Sequence, residues 1–177
     1  MKIFIYKNTL AQILTSAVDA FPKECFGQLL GEKKYSTFKL SSAYNMSSLR
    51  RSENYIFYNP EKVKNLKIVL EKIYQNKKFL GTYHSHPNEN INANIKLSEK
   101  DKEKSLENEN VQIIISIKKT KNIQDSLKYS KNKRSIIGRI NHHSFRIEGF
   151  YYNKTGREFR EAHFEPLSKN LVYRMNL

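Results

Sequence analysis

The sequence predicts a single α+β (or α/β) domain built on a mixed β-sheet flanked by helices. Three observations carry that expectation. The hydrophobic period switches along the chain in the order β, α, several β, α, β, short α, β, β. Residues 111–117, Val-Gln-Ile-Ile-Ile-Ser-Ile, read as the clearest buried strand in that order. No internal repeat and no linker divides the 177 residues, a length sufficient for one domain with its own core.

Each element has a local justification. Residues 2–6 read as a short strand. Leu10, Ile13, Leu14, Ala17, Val18 and Phe21 follow at helical spacing, with Thr9 and Gln12 at capping-box separation and Pro22 as the stop. Residues 24–31 read as a buried strand with Glu24 at its mouth, 32–34 as a turn, and 35–42 as the next strand. The serine-rich stretch 43–53 reads as a loop, and 55–58 as another short strand. Asn59 and Pro60 open a second helix, whose apolar face is Val63, Leu66, Leu70, Ile73 and Tyr74. Residues 79–83 form a strand that delivers His84 and His86. A polar loop with four Asn (88–97) and a short charged helix from Ser98 to about Glu107 follow. The basic stretch 118–134 is expected to be an exposed loop or insertion, 144–152 a late strand, and 157–167 a further strand.

Composition narrows the function classes. Apolar residues make up 38% of the chain, with eleven Tyr and ten Phe to fill an interior. No apolar run approaches the roughly 18 residues of a membrane span. The start, Met1 to Tyr6, lacks the features of a signal peptide. The single cysteine, Cys25, has no partner for an internal disulfide, which fits a reducing, cytoplasmic setting. The net charge of +15 is compatible with nucleic acid or an acidic protein as partner. The lysines are scattered, however, without an aromatic-interleaved basic module, so a solvated basic surface accounts for them better.

The chemistry concentrates in three places. His84-Ser85-His86-Pro87 puts two imidazoles at i and i+2, on the same side of an extended chain, where both can reach one ion. A bare His-x-His is common by chance, and two surface histidines before a strand-ending proline would look the same. Ser98 and Asp101 share one face of a helical turn. Asp101 can supply a third ligand there, but Ser-x-x-Asp is also a capping signature. Glu24 can serve as a proton carrier beside a metal-bound water, or simply be an exposed residue after Pro22-Lys23. Cys25 is the rival nucleophile. Adjacent to Glu24 in an extended segment, it faces the other way and reads as a buried structural thiol. His142, His143 and His163 read as surface or loop residues.

Taken together, Glu24 followed by Cys-Phe-Gly-Gln-Leu-Leu-Gly, then His84-Ser85-His86-Pro87, then Ser98-Glu99-Lys100-Asp101, resembles the JAMM (MPN-plus) zinc metalloprotease family. The resemblance runs from the first helix to about Ile117 and implies a JAMM/MPN-like domain of cytidine-deaminase-like architecture. It implies one catalytic Zn2+ held by His84, His86 and Asp101. It implies Glu24 as the general acid/base that activates the bound water, and Ser98 as the donor to the developing oxyanion. It also implies a peptidase or isopeptidase (deubiquitinase-like) acting on ubiquitin-like modifiers, their conjugates, or sulfur-carrier relatives. The chain departs from the family pattern between His86 and Ser98, where residues 87–97 make a longer gap. At the standard spacing the ligand position would fall on Leu97, which cannot bind a metal. The Asn-rich loop is therefore read as an expansion that keeps Ser98 and Asp101 in their roles. The alternatives are a non-catalytic binding or assembly module on the same scaffold and, from the charge, a nucleic-acid-associated protein.

Overall fold

A computed structural model describes residues 1–46, 50–51, 56–57, 60–99, 101–102, 111–122 and 124–165. Its elements in chain order are β1 (Lys2–Ile5), α1 (Lys7–Ala20), β2 (Phe26–Lys34), β3 (Thr37–Asn45), β4 (Arg50–Arg51), β5 (Ile56–Phe57), α2 (Pro60–Ile73), β6 (Lys78–Pro87), β7 (Val111–Lys119), β8 (Ser126–Tyr129), β9 (Ser135–Ile140), β10 (His143–Asn153), β11 (Glu158–Glu161) and β12 (His163–Phe164). Ten strands form one sheet in the order β12-β1-β3-β2-β6-β7-β10-β9-β8, with β11 on β10, while β4 and β5 pair separately. β6 and β7 run parallel at its centre, and the pairs β2–β6 and β7–β10 are antiparallel, so the sheet is mixed. No helix among the described residues is long and apolar enough to cross a membrane.

α1 lies across one face of the sheet. Its Leu10, Ile13, Leu14 and Ala17 are buried in a core with Leu29, Tyr83, Ile113, Ile115 and Ile147. A polar tie reinforces that packing: Ser16 Oγ lies 3.0 Å from the Tyr83 hydroxyl and donates to the Gln12 carbonyl. Cys25 is fully buried in the same core. On the opposite face, Phe26 and Met46 pack with Val63 and Leu66 of α2. β7 is covered on both faces, which is why its sequence is an apolar run rather than an alternation.

Several expectations are corrected. Thr9 and Gln12 form no capping box: α1 starts two residues before Thr9, at Lys7, without a side-chain cap. Thr9 is buried inside the helix, and Gln12 accepts from the Ala43 N–H instead. Residues 32–34 are strand rather than turn; the hairpin turns at Tyr35-Ser36, where Tyr35 has φ 53°, and Glu32 pairs with Lys39 across it. β3 runs on to Asn45, into the expected loop. Ile73 is 65% exposed rather than on the buried face of α2. The basic stretch 118–134 contains the end of β7 and the edge strand β8, and β9 has no counterpart in the sequence reading. A strand at an edge needs only one buried side, and Leu127 alone of β8 is buried. Asn59, expected to open the second helix, and most of the helix after Ser98 lie outside the described residues.

Candidate metal centre

Strand register assembles the site. In the β2–β6 ladder Phe26 faces His84. Cys25 and Ser85 continue the alignment: the Cys25 N–H donates to Ser85 Oγ (2.8 Å), and the Ser85 N–H donates to the Cys25 carbonyl (3.1 Å). Glu24 lies one residue further out, ahead of the start of β2 at Phe26, and its charge acts on His86. Directly paired residues share a face, and so do His84 and His86 at i, i+2. That face is opposite Tyr83 and α1, so the histidines sit outside the main core. The imidazoles meet edge to edge, with Nε2 atoms 3.0 Å apart.

Asp101 arrives from the chain after β6. The Ser98 hydroxyl donates to its Oδ2 (2.6 Å), the Ser98 N–H donates to the same oxygen (3.0 Å), and the Asp101 N–H returns a bond to Ser98 Oγ (3.1 Å). This is a reciprocal cap at the start of a helical turn. The other oxygen, Oδ1, lies 3.3 Å from His84 Nε2. The capping and metal-facing readings of Ser98-x-x-Asp101 are therefore geometrically compatible, one carboxylate oxygen serving each. Burial would push the Asp101 carboxyl up, but His84 and the two Ser98 donors outweigh it and hold it well below the usual carboxylate range.

The loop between His86 and Ser98 is tied to the sheet. Ile95 is buried against Ile114 and Phe150. Its N–H donates to Glu148 Oε2 (3.0 Å), while Arg146 bonds Glu148 Oε1 through Nε (2.6 Å) and Asn94 Oδ1 through a terminal nitrogen (2.6 Å). At the far end of the loop, Gln112 donates to the Asp101 carbonyl (3.0 Å). Near its start, Glu89 Oε1 lies 3.0 Å from His86 Nδ1, bent from the ideal line of a ring N–H, and Glu89 Oε2 accepts from the Ser116 hydroxyl (3.0 Å). Burial alone would lower the His86 pKa. Glu89, with Asp101 and Glu24, more than offsets this and places it above 6.5. The contact with His86 holds Glu89 below its usual value.

Sequence reading missed Glu89, Ser116, Arg146 and Glu148. The available signals were a carboxylate three residues after His86, and an Arg and a Glu two apart within the apolar run 145–150.

One ligand atom from each of His84, His86 and Asp101 lies within 4.8 Å of the other two, and two of the separations are 3.0 and 3.3 Å. Tetrahedral zinc with bonds of 2.0–2.1 Å has ligand–ligand edges of about 3.3 Å, so the His84–His86 and His84–Asp101 separations match a three-ligand site. Two imidazole nitrogens and a carboxylate oxygen are also a donor set that zinc accepts. Glu24 is half-buried beside this group, close enough for its charge to act on His86, without belonging to the close set. Ser98 is exposed, with its hydroxyl directed at Asp101. Cys25 is excluded from the face by its burial on the α1 side.

A family model described as prokaryotic homologs of the JAB domain matches residues 7–127. No curated protein matches the chain. Among solved structures, the fold is similar to the solution structure of protein DSY2949 from Desulfitobacterium hafniense. The TM-score is 0.59 at 18% identity, covering 92% of this chain and 91% of that one.

Proposed function

The chain belongs to the family of prokaryotic homologs of the JAB domain, and from that premise we propose that it is a zinc-dependent hydrolase of peptide or isopeptide bonds. The observation that carries the reading is the convergence of His84, His86 and Asp101 on one point, with the Glu24 charge close enough to act on His86. His84, His86 and Asp101 would hold the ion. When bound, zinc supplies Lewis acidity and a lowered pKa for water. Glu24 takes the proton from the attacking water and returns it to the leaving amine, a transfer suited to a carboxylate at the edge of the site. Ser98 donates to the developing oxyanion once its hydroxyl turns away from Asp101 Oδ2. The low carboxyl pKa of Asp101 keeps it ionised and acceptor-only across the neutral range. The substrate is a ubiquitin-like protein or its conjugate, offering an extended C-terminal tail that lies along strand backbone.

Glu24→Gln removes the proton carrier but leaves the ligand atoms in place. The expected result is stoichiometric zinc with turnover reduced by at least about 100-fold. The assay is cleavage of ubiquitin-like fusions and conjugates from the same cell, with and without a chelator. Full activity in Glu24→Gln would sink the mechanism. Zinc binding with no chelator-sensitive cleavage of any of them would favour a binding module on the same scaffold.

A further inference from the structure

We propose that Glu89, pinned by Ser116, is a positioning residue that orients the His86 imidazole toward a bound divalent metal. The inference deepens the metal-site reading and rests on it. Beyond Pro87 the strand cannot continue straight, because Asn88 takes a left-handed conformation (φ 63°) and its N–H donates to the Ile117 carbonyl at 2.7 Å. Asn is among the few residues that enter this region at low cost. The turn brings Glu89 back over β7, where Ser116 is paired with His86 and almost fully buried.

The carboxylate then has two tasks. Oε2 is fixed by the Ser116 hydroxyl, and Oε1 stands 3.0 Å from His86 Nδ1. A carboxylate at Nδ1 favours the tautomer with the proton there, which leaves Nε2 with its lone pair. Nε2 is the nitrogen that faces His84 Nε2. Metal-binding histidines commonly use their second nitrogen this way, and loss of the outer partner weakens metal binding. Here the partner comes from the same loop that carries the chain on to Asp101, so one segment serves two members of the close set.

The test uses the full-length protein stripped of metal and titrated with zinc in competition with a chromogenic chelator. Wild type, Glu89→Ala, Glu89→Gln, Ser116→Ala and His86→Ala are compared. Glu89→Ala is expected to bind zinc about 10- to 100-fold more weakly. Glu89→Gln keeps an acceptor oxygen and should recover part of that loss, with Ser116→Ala in between. Nitrogen-15 NMR of the metal-free protein gives a second readout, independent of zinc. The Nδ1–H form of His86 should dominate in wild type and Glu89→Gln and be lost in Glu89→Ala. Ser116→Ala leaves the loop sequence intact and reads the same effect should Glu89→Ala fold poorly. Wild-type affinity in both Glu89→Ala and Ser116→Ala, with His86→Ala impaired, overturns the positioning role and leaves the metal site standing. A wild type that binds no tighter than His86→Ala overturns both.

Discussion

At the residue scale, Asp101 shows how one side chain can satisfy two demands. Its carboxylate has two oxygens; Ser98 takes one, and the other looks at His84. The sequence pattern Ser-x-x-Asp could not separate a cap from a ligand because the local geometry of both is the same. Glu148 is the other instructive residue. It is 4% exposed, and burial is the main cause that raises its carboxyl pKa above 4.5, against the lowering effect of Arg146. A carboxyl with a raised folded pKa contributes stability that is fully present below its unfolded pKa. That contribution is lost as pH rises through the folded value. Glu148→Gln mimics the protonated form throughout. Urea unfolding of both proteins between about pH 4 and pH 7 should show the variant gaining on wild type as pH rises. A constant difference across that range would refute the assignment.

At the element scale, β6 is the strand on which the rest converges. It pairs with β2, setting His84 opposite Phe26, and with β7, setting His86 beside Ser116. Tyr83 ties it to α1 on the other side. Gly81 lets it approach β7. A Cβ there would sit 1.7 Å from the Val111 carbonyl oxygen, at φ 157°. That neighbour is backbone within a ladder, so it cannot rotate away. Gly81→Ala should therefore destabilise by about 3 kcal/mol or more, read as a lowered denaturant midpoint, by overpacking between two central strands. A variant of wild-type stability would mean that the ladder yields more easily than its paired register implies. The loop after β6 is legible only in part. Its four Asn mark it as irregular, but nothing local marks Ile95 as a buried anchor or Glu148 and Arg146 as its partners.

At the scale of the whole molecule, the candidate metal face and the main core are separate. The large apolar cluster lies between α1 and the sheet, and His84, His86 and Asp101 project on the opposite side. The fold is thus expected to survive metal removal. Chelation should leave the far-UV circular dichroism spectrum unchanged and the thermal transition cooperative, with a midpoint lowered only by the lost binding energy. Loss of the spectrum on chelation would instead make the ion a structural element.

The amino-acid sequence by itself determined the ordered donor types, the amphipathic α1, the buried β7 and the extended delivery of two histidines to one side. Each is encoded in residues near one another along the chain, where period and spacing act directly. Only the tertiary structure decided that β8 pairs as an edge, that Ile73 stays exposed, and that Glu89 turns back onto His86 and Ser116. Those outcomes depend on register between strands distant in sequence, and register emerges from the packing of the whole sheet rather than from any local pattern.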